Sequence, residues 1–355
     1  MTSPMTPQLR GPDDLAEYIP YELGYQPENS IVLAGIATDG RMQGIIRVSL
    51  PDFSEVEHAA TAALAAITEV YAGHRVKLSD LVIAIYRDTD ANADRPTVVD
   101  ALAPIAKFLI EAAKEASIEV LEAMFVVDGM WSSYDCTKPA CCPPEGRPVR
   151  GMDNPGPVGT AMIVAGRTVA SSRSVLEAKI RPAADADTES FNAALSAAAA
   201  NPLPERARYD LLRACLAGAA SGDSPSDEQA AQLLIALEDG EFRDLAMTYC
   251  EAAERPAASH LWQGLAARTG ARRRYLAAIP LTLLSWNCWL DKSTTMAVVA
   301  LREAQAVRPG YRLAQLLDKL FITEGNLAGT LDELRRVRAE YELEQMVDGP
   351  GQANS

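Results

Sequence analysis

The chain has 355 residues, of which 48% are hydrophobic, and its 33 Lys and Arg against 48 Asp and Glu give a formal net charge of −15. This length predicts about two domains, and the hydrophobic fraction excludes a disordered chain. An acidic surface repels phosphate backbones and anionic membranes. The composition therefore argues against general nucleic-acid binding and against membrane association.

The amino-terminal segment and the cysteine content predict a cytoplasmic protein. The first thirty residues are rich in Pro, Asp and Glu, and no basic start is followed by an apolar run, so we expect no secretory signal. Six cysteines in a chain of this length predict reduced thiols. The sequence contains no stretch of about eighteen uninterrupted apolar residues, so no membrane-spanning segment is predicted.

The first elements in chain order are a short helix and two antiparallel strands. Residues 11–24 predict a helix in which Pro12 suits the first turn and Pro20 marks the end. Two apolar runs that are rich in β-branched residues flank Asp39-Gly40, a dipeptide typical of hairpin turns. This pattern predicts that the two strands pair with each other.

Two pairs of helix and strand follow the hairpin. Apolar residues recur with helical spacing over residues 54–73 and 97–116. Each helix is followed by a buried strand, first LVIAIYRD and then IEVLEAMFVVDG. The order β-β-α-β-α-β predicts an α/β domain with a mixed sheet, whose parallel part is formed by right-handed crossovers.

A long loop over residues 130–158 interrupts this pattern and carries six prolines and three of the six cysteines. Loops of this length inside a compact domain are usually functional or mobile. After it, the sequence predicts a further strand over residues 159–166 and a short helix from Ser172 to Ile180. The predicted α/β domain therefore spans residues 1–182.

Residues 183–355 predict an all-helical domain. Alanine-rich segments are separated by breakers such as NPLP at residues 201–204 and RPG at residues 308–310. Small residues over the range 281–309 have the spacing of a tetratricopeptide helical pair, so we predict a helical-hairpin, tetratricopeptide-like bundle. Such bundles present docking surfaces, and we expect this half to bind a protein partner or to self-associate.

The most unusual local feature is the cluster of Cys136, Cys141 and Cys142. Three thiolates in one loop could ligate a zinc ion, with a fourth ligand from His58, His74 or Asp128. Against this, structural zinc sites usually use paired C-x2-C motifs, and adjacent cysteines tend to diverge. A disulfide, free structural thiols and a reactive nucleophile are the alternatives that the sequence leaves open.

The cysteines lie in a loop that follows a strand end, where open α/β sheets bind ligands. Trp131 and Tyr134 could contact a ligand there, or they could pack over the end of the sheet and hold the loop in place. The predicted ligand-binding or structural loop comprises Trp131, Ser133, Tyr134, Cys136, Cys141, Cys142, Glu145 and Gly146.

A second candidate patch lies in the turn before the first strand, where Glu28, Asn29 and Ser30 offer polar groups. Turn formation alone also explains Asn29. The sequence contains neither a phosphate-binding glycine loop nor an HExxH motif. The basic run Arg272–Arg274 is interpreted as a partner contact or a solvated patch.

Four segments together resemble a known family. They are PDDLAEYIPYELGYQPENSIVLAGI, WSSYDCTKPACCPPEGRPV, SSRSVLEAKI and LTLLSWNCWLDKSTTMAVVALREAQAVRPGYRLAQLL. The chain resembles the actinobacterial domain-of-unknown-function family 4192 over nearly its whole length. It departs from the family pattern at Tyr25, where Phe is usual, and at residues 291–294, where glycines are common. The resemblance implies an intracellular actinobacterial protein and assigns no activity.

Two functional hypotheses follow from the sequence. The first is a non-enzymatic ligand-binding, protein-binding or regulatory protein, whose helical half docks a partner. The alternative is a thiol- or metal-dependent, hydrolase-like enzyme with its site in the Trp131–Gly146 loop, in which Asp128, Glu145 or His74 would assist the thiols.

Overall fold

The computed structural model describes residues 8–50, 56–73, 76–89, 93–184, 186, 188–323 and 327–347. The chain divides into two compact units between Arg173 and Ser174. Among the described residues, no helix combines the length and the apolar character that crossing a bilayer requires.

The first unit is built on six strands and four helices within the described residues. The helices are α1 (Pro12–Leu23), α2 (Val56–Gly73), α3 (Arg95–Glu115) and α4 (Pro157–Val164). The strands are β1 (Ser30–Ala37), β2 (Met42–Ser49), β3 (Leu78–Arg87), β4 (Glu119–Val127), β5 (Met130–Ser133) and β6 (Arg147–Pro148).

The strands form one mixed sheet in the order β2-β1-β3-β4-β5-β6, so the predicted mixed sheet is confirmed. Among the six described strands, only β3 and β4 pair in parallel, and α3 connects them. The other neighbours pair antiparallel. The carboxyl ends of β3 and β4 therefore lie side by side at one edge of the sheet.

Alternate residues of the central strands are buried on opposite faces of the sheet, as the pleat requires. Ile31, Ile83 and Phe125 belong to a core that also contains residues of α2 and α3. Val82 and Val126 are buried outside that core. On their face, α1 contacts both β4 and α4.

The structure corrects the prediction of a strand over residues 159–166, because α4 occupies Pro157–Val164. The apolar run was too short to distinguish a buried strand from a buried helix by its pattern. Pro157 stands in the first helical turn, and the backbone N–H of Gly156 donates to the carboxylate of Glu17 at 2.6 Å. That long-range bond fixes the helix start and is invisible in the local sequence.

The segment predicted as a loop over residues 130–158 contains strands β5 and β6. Asp128 and Gly129 adopt φ of 51° and 73°, the left-handed conformation that a two-residue hairpin turn requires. The turn folds β5 back onto β4, with Val127 opposite Met130. The Asp-Gly dipeptide that signals this hairpin is present in the sequence.

The second unit is helical throughout the described residues. It contains α5 (Arg173–Ala178), which begins at the division, and then α6 (Glu189–Ala200), α7 (Glu205–Ala220), α8 (Asp227–Ala236), α9 (Gly240–Met247), α10 (Arg255–Arg268), a 3-10 helix (Ala271–Ala277), α11 (Ala278–Leu290), α12 (Thr294–Val307), α13 (Arg312–Thr323) and α14 (Leu327–Val347).

The division between the units precedes the boundary predicted after residue 182. Two hydrogen bonds attach Ile180 and Ala183, near the predicted boundary, to the helical unit. Arg274 donates to the carbonyl of Ile180 at 2.7 Å, and the N–H of Ala183 donates to the carbonyl of Ala267 at 2.7 Å. The Arg181-Pro182 breaker thus lies within a helical unit, because a proline ends a helix without ending a domain.

Helices α11 and α12 pack against each other, and every residue of α11 except Leu290 is buried. The Ser285 hydroxyl donates to the carbonyl of Ala297 at 2.7 Å, which needs close backbones and small side chains. Arg274 also binds Glu303 at 2.9 Å, so this member of the basic run is an internal structural residue. Assignment of the bundle to the tetratricopeptide class remains a prediction.

We predict that Gly35→Ala lowers the free energy of unfolding by about 1–3 kcal/mol. A Cβ at this buried β1 position would lie 2.6 Å from the Tyr71 ring and 2.9 Å from a Leu78 methyl group. Tyr71 is 1% exposed and has little room to move. Urea unfolding of both proteins measures the change.

The matched control is Gly151→Ala, because nothing lies within 4 Å of a Cβ at that position. It should leave the unfolding midpoint close to that of the parent protein. Equal stability of the Gly35→Ala variant and the parent would contradict the close packing of Tyr71 on β1.

Candidate functional site

The three loop cysteines converge in space. The Sγ atoms of Cys136, Cys141 and Cys142 all lie within 4.8 Å of one another. The backbone N–H groups of Cys141 and Cys142 both donate to the carbonyl of Lys138, at 3.0 and 2.8 Å. This turn brings the two adjacent cysteines to Cys136, so adjacency in sequence does not separate the sulfurs.

The ends of the loop are held by Arg95, the first residue of α3. Its guanidinium donates to the carbonyls of Val127 and Met130, at 3.2 and 3.0 Å, and to the Ser132 hydroxyl at 2.9 Å. Gly146 has φ of 79°, and a Cβ there would lie 2.6 Å from Arg95 Nη2. The positive φ and the close contact with Arg95 therefore both favour glycine at position 146.

The aromatic residues of the loop pack onto the rest of the unit. Trp131 is 2% exposed, and its Nε1 donates to Asp13 at 3.1 Å. The Arg147 guanidinium lies over the Trp131 ring and forms an ion pair with Asp13 at 3.3 Å. Tyr134 packs edge-on against Phe125. These contacts explain both aromatic residues without a ligand.

The two remaining polar loop residues have different environments. The Ser133 hydroxyl donates to Glu122 at 2.7 Å. Burial is the main cause that raises the pKa of this Glu122 carboxyl, and the hydrogen bond from Ser133 opposes the increase. Glu145 is exposed. Neither carboxylate joins the three sulfurs in a common group of potential metal ligands.

The surroundings of Cys136 and Cys142 shift the pKa values of the two thiols in opposite directions. The backbone N–H of Lys138 and then the Cys142 thiol lower the pKa of Cys136 by hydrogen bonds to its sulfur. Burial is the main cause that raises the pKa of Cys142 to about 11, and the charge on Cys136 adds to it. Cys136 is therefore the favoured thiolate of the pair.

The proposed fourth ligands do not join the cluster within the described residues. The Asp128 carboxylate instead accepts from the backbone N–H and the hydroxyl of Thr89, at 2.8 and 2.7 Å. His58 is exposed on α2, and His74 lies outside the described residues. The described chain thus supplies three converging sulfur ligands.

The second candidate patch, Glu28 to Ser30, is divided by the fold. Asn29 has φ of 39° and forms the turn before β1. Ser30 is fully buried, while Glu28 lines a cavity of about 260 Å³. The sequence did not single out other polar residues of this cavity, although Asp88 directly follows β3 at the edge where ligands are expected.

A comparison with protein families relates this architecture to other sequences. The model of a family described as a domain of unknown function, DUF4192, matches residues 12–323. The chain belongs to this family. The DUF4192 match covers the sheet, the Trp131–Gly146 loop with its three cysteines (the thiol loop) and the helices as far as α13. It confirms the near full-length resemblance. No curated protein and no solved structure matches this DUF4192 chain.

We predict that iodoacetamide at pH 7 modifies Cys136 about tenfold faster than Cys142. The lowered pKa of Cys136 and the raised pKa of Cys142 give Cys136 far more thiolate, and the lower nucleophilicity of low-pKa thiolates offsets part of this advantage. Peptide mass spectrometry after timed quenching measures each rate.

The buried cysteines Cys215, Cys250 and Cys288 serve as internal controls and should react more slowly than Cys136 in the folded protein. Burial raises the pKa of each of these thiols. Equal rates at Cys136 and Cys142 would contradict the stabilised thiolate.

Proposed function

We propose that this protein is a non-enzymatic binding protein, in which Cys136, Cys141 and Cys142 hold a zinc ion. The observation that carries the proposal is the convergence of three sulfur atoms within 4.8 Å of one another. Tetrahedral Zn–S bonds of about 2.3 Å place sulfurs about 3.8 Å apart. Small rotations of the cysteine side chains would bring the sulfurs from within 4.8 Å of one another to the spacing that zinc requires.

The donor set suits a thiophilic ion. Thiolate ligands favour zinc over magnesium or calcium, which prefer oxygen ligands. Zinc in proteins is usually four-coordinate, so three protein sulfurs would leave one position for water or for a molecule that the protein binds. Three sulfurs from the described chain fit that arrangement, and the exposed Cys141 offers a path for an entering ion.

A catalytic thiol is the second candidate function, and the lowered pKa of Cys136 favours it. A nucleophilic cysteine also needs a base within hydrogen-bond reach and a group that orients this base. In the described part of the chain, the group of possible ligands around Cys136 contains no histidine and no carboxylate. We therefore place metal binding ahead of thiol catalysis.

We expect the purified full-length protein, under reducing conditions, to bind one zinc ion per chain. Substitution of Cys136, Cys141 or Cys142 by Ser should weaken binding at least about a hundredfold, because each removes a metal bond. Affinity should fall as pH decreases, since protons compete for the thiolates. Competition with a chromophoric chelator measures affinity, and Co²⁺ absorption reports thiolate ligation.

The control variant is Cys215→Ala, which removes a buried thiol of α7 and should leave zinc affinity unchanged. Elemental analysis of zinc-loaded, gel-filtered protein gives the stoichiometry. Less than about a tenth of an equivalent of zinc, or the same affinity in the triple Cys→Ser variant, would refute the site.

The second part of the proposal is that the helical unit binds a protein partner. Among its described residues, four large apolar side chains are exposed, Val175 at 42%, Tyr275 at 49%, Leu316 at 51% and Leu343 at 62%. Burial in a complex would remove them from water. Because most soluble oligomers contain copies of one chain, we take a second copy as the partner to test.

Sedimentation equilibrium should give a mass above that of the monomer for the parent protein. Leu316→Asp should shift the equilibrium toward monomer by at least about tenfold in the dissociation constant. The matched control is Val164→Asp, which changes an exposed apolar residue of α4 that is 83% exposed. A monomeric parent protein would exclude self-docking.

A further inference from the structure

The cavity beside Glu28 lies at the edge of the sheet where the parallel strands β3 and β4 end. Its volume is about 260 Å³, which is below the range typical of pockets for drug-sized ligands. Its walls come from the turn before β1, the ends of β3 and β4, and the chain after β6. The lining residues are Gln26, Pro27, Glu28, Tyr86, Asp88, Val126, Gly129, Val149, Arg150 and Gly151.

One buried polar side chain in the cavity wall lacks a partner. Tyr86 is 4% exposed, and its hydroxyl has no hydrogen bond among the described residues. Ser30, its neighbour across the β1–β3 ladder, is fully buried with an unpaired hydroxyl as well. Unpaired buried hydroxyls destabilise a protein, so a molecule that pairs with Tyr86 would recover that free energy.

Charged groups of both signs line the same cavity. Glu28 and Asp88 contribute carboxylates, and Arg150 contributes a guanidinium. Arg150 Nη1 and the buried Glu17 Oε2 each lie 2.6 Å from the position of a Cβ at Gly156, so the guanidinium is near this carboxylate. Within the described residues the two side chains form no direct ion pair, and Glu17 Oε2 has no hydrogen-bond partner. Val126 and Val149 add apolar wall. The cavity therefore offers an anion-binding fork, cation-binding carboxylates and an apolar surface.

We propose that this cavity binds a small zwitterion of the α-amino acid class. The ligand carboxylate would pair with Arg150, whose planar fork matches a carboxylate. The ligand ammonium group would lie against Asp88 and Glu28, and the ligand would hydrogen-bond to the Tyr86 hydroxyl. This site is separate from the thiol cluster and does not depend on zinc.

Other ligand classes fit these groups less well. A phosphate or a dicarboxylate would place negative charge against Asp88 and Glu28. A simple amine would pair with these carboxylates but leave Arg150 without a partner. Only a molecule with both charges satisfies both sets of groups. The small volume limits the rest of the ligand to a compact side chain.

The test is isothermal titration of the full-length protein with each common L-amino acid. Each binder is then compared with the amine that lacks its carboxylate and the carboxylic acid that lacks its ammonium group. We expect at least one amino acid to bind and both truncated compounds to bind at least about tenfold more weakly. Binding of no amino acid, or equal binding of either truncated compound, overturns the proposal.

Two variants test the residues of the cavity. Arg150→Gln should weaken binding about a hundredfold, and Tyr86→Phe about tenfold. The matched control for the tyrosine is Tyr21→Phe, which also removes a buried, unpaired hydroxyl of this unit. Arg41→Gln is the control for the arginine, because Arg41 is 79% exposed in the β1–β2 hairpin. Both controls should bind as the parent does.

Affinity that is unchanged in Arg150→Gln or in Tyr86→Phe would place the ligand elsewhere and overturn the assignment of this cavity. The triple Cys→Ser variant should still bind the amino acid. Amino acid binding by this variant would show that the two sites are independent. The amino acid proposal can then be tested even if the protein does not bind zinc. Loss of amino acid binding in a folded triple variant would contradict a separate cavity.

Discussion

Both candidate sites depend on the guanidinium of Arg95. From the start of α3 it bonds to the carbonyls of Val127 and Met130, on either side of the two-residue turn between β4 and β5. Partial burial lowers its pKa, yet an arginine stays charged at neutral pH. The thiol loop continues from the strand that this turn creates, and Gly129 of the turn lines the cavity.

The sequence pattern predicted the sheet because its central strands are buried on both faces. Runs such as LVIAIYRD are too short for ordinary helices and rich in β-branched residues, so the strand prediction followed. The same argument failed for residues 159–166, where Glu17 accepts from the Gly156 N–H and stabilises a helix start. A contact between residues 139 positions apart leaves no trace in a local pattern.

The sites show a similar limit. The thiol loop stood out because three cysteines lie within seven residues, but their convergence depends on one carbonyl, that of Lys138, which accepts from two backbone N–H groups. The sequence indicates Tyr86 only as part of a buried strand, because its unpaired hydroxyl can be recognised only when β1, β3 and β4 are assembled. The residue types in a sequence indicate which chemistry is available. A hydroxyl that lacks a hydrogen-bond partner, by contrast, can be recognised only in the folded structure.

The protonation of the thiol cluster connects its geometry with its chemistry. Lys138 and the neighbouring thiols stabilise the Cys136 thiolate by hydrogen bonds, while the charge on Cys136 helps to raise the pKa of Cys142. Sulfurs within 4.8 Å resist the accumulation of further negative charge. In the proposed zinc site, a divalent cation would reverse this balance, because its charge would stabilise the thiolates and release the protons of the metal-free thiols. In the proposed site, the Cys136 thiolate would therefore bind the metal first, and Cys142 would lose its proton as it becomes a ligand.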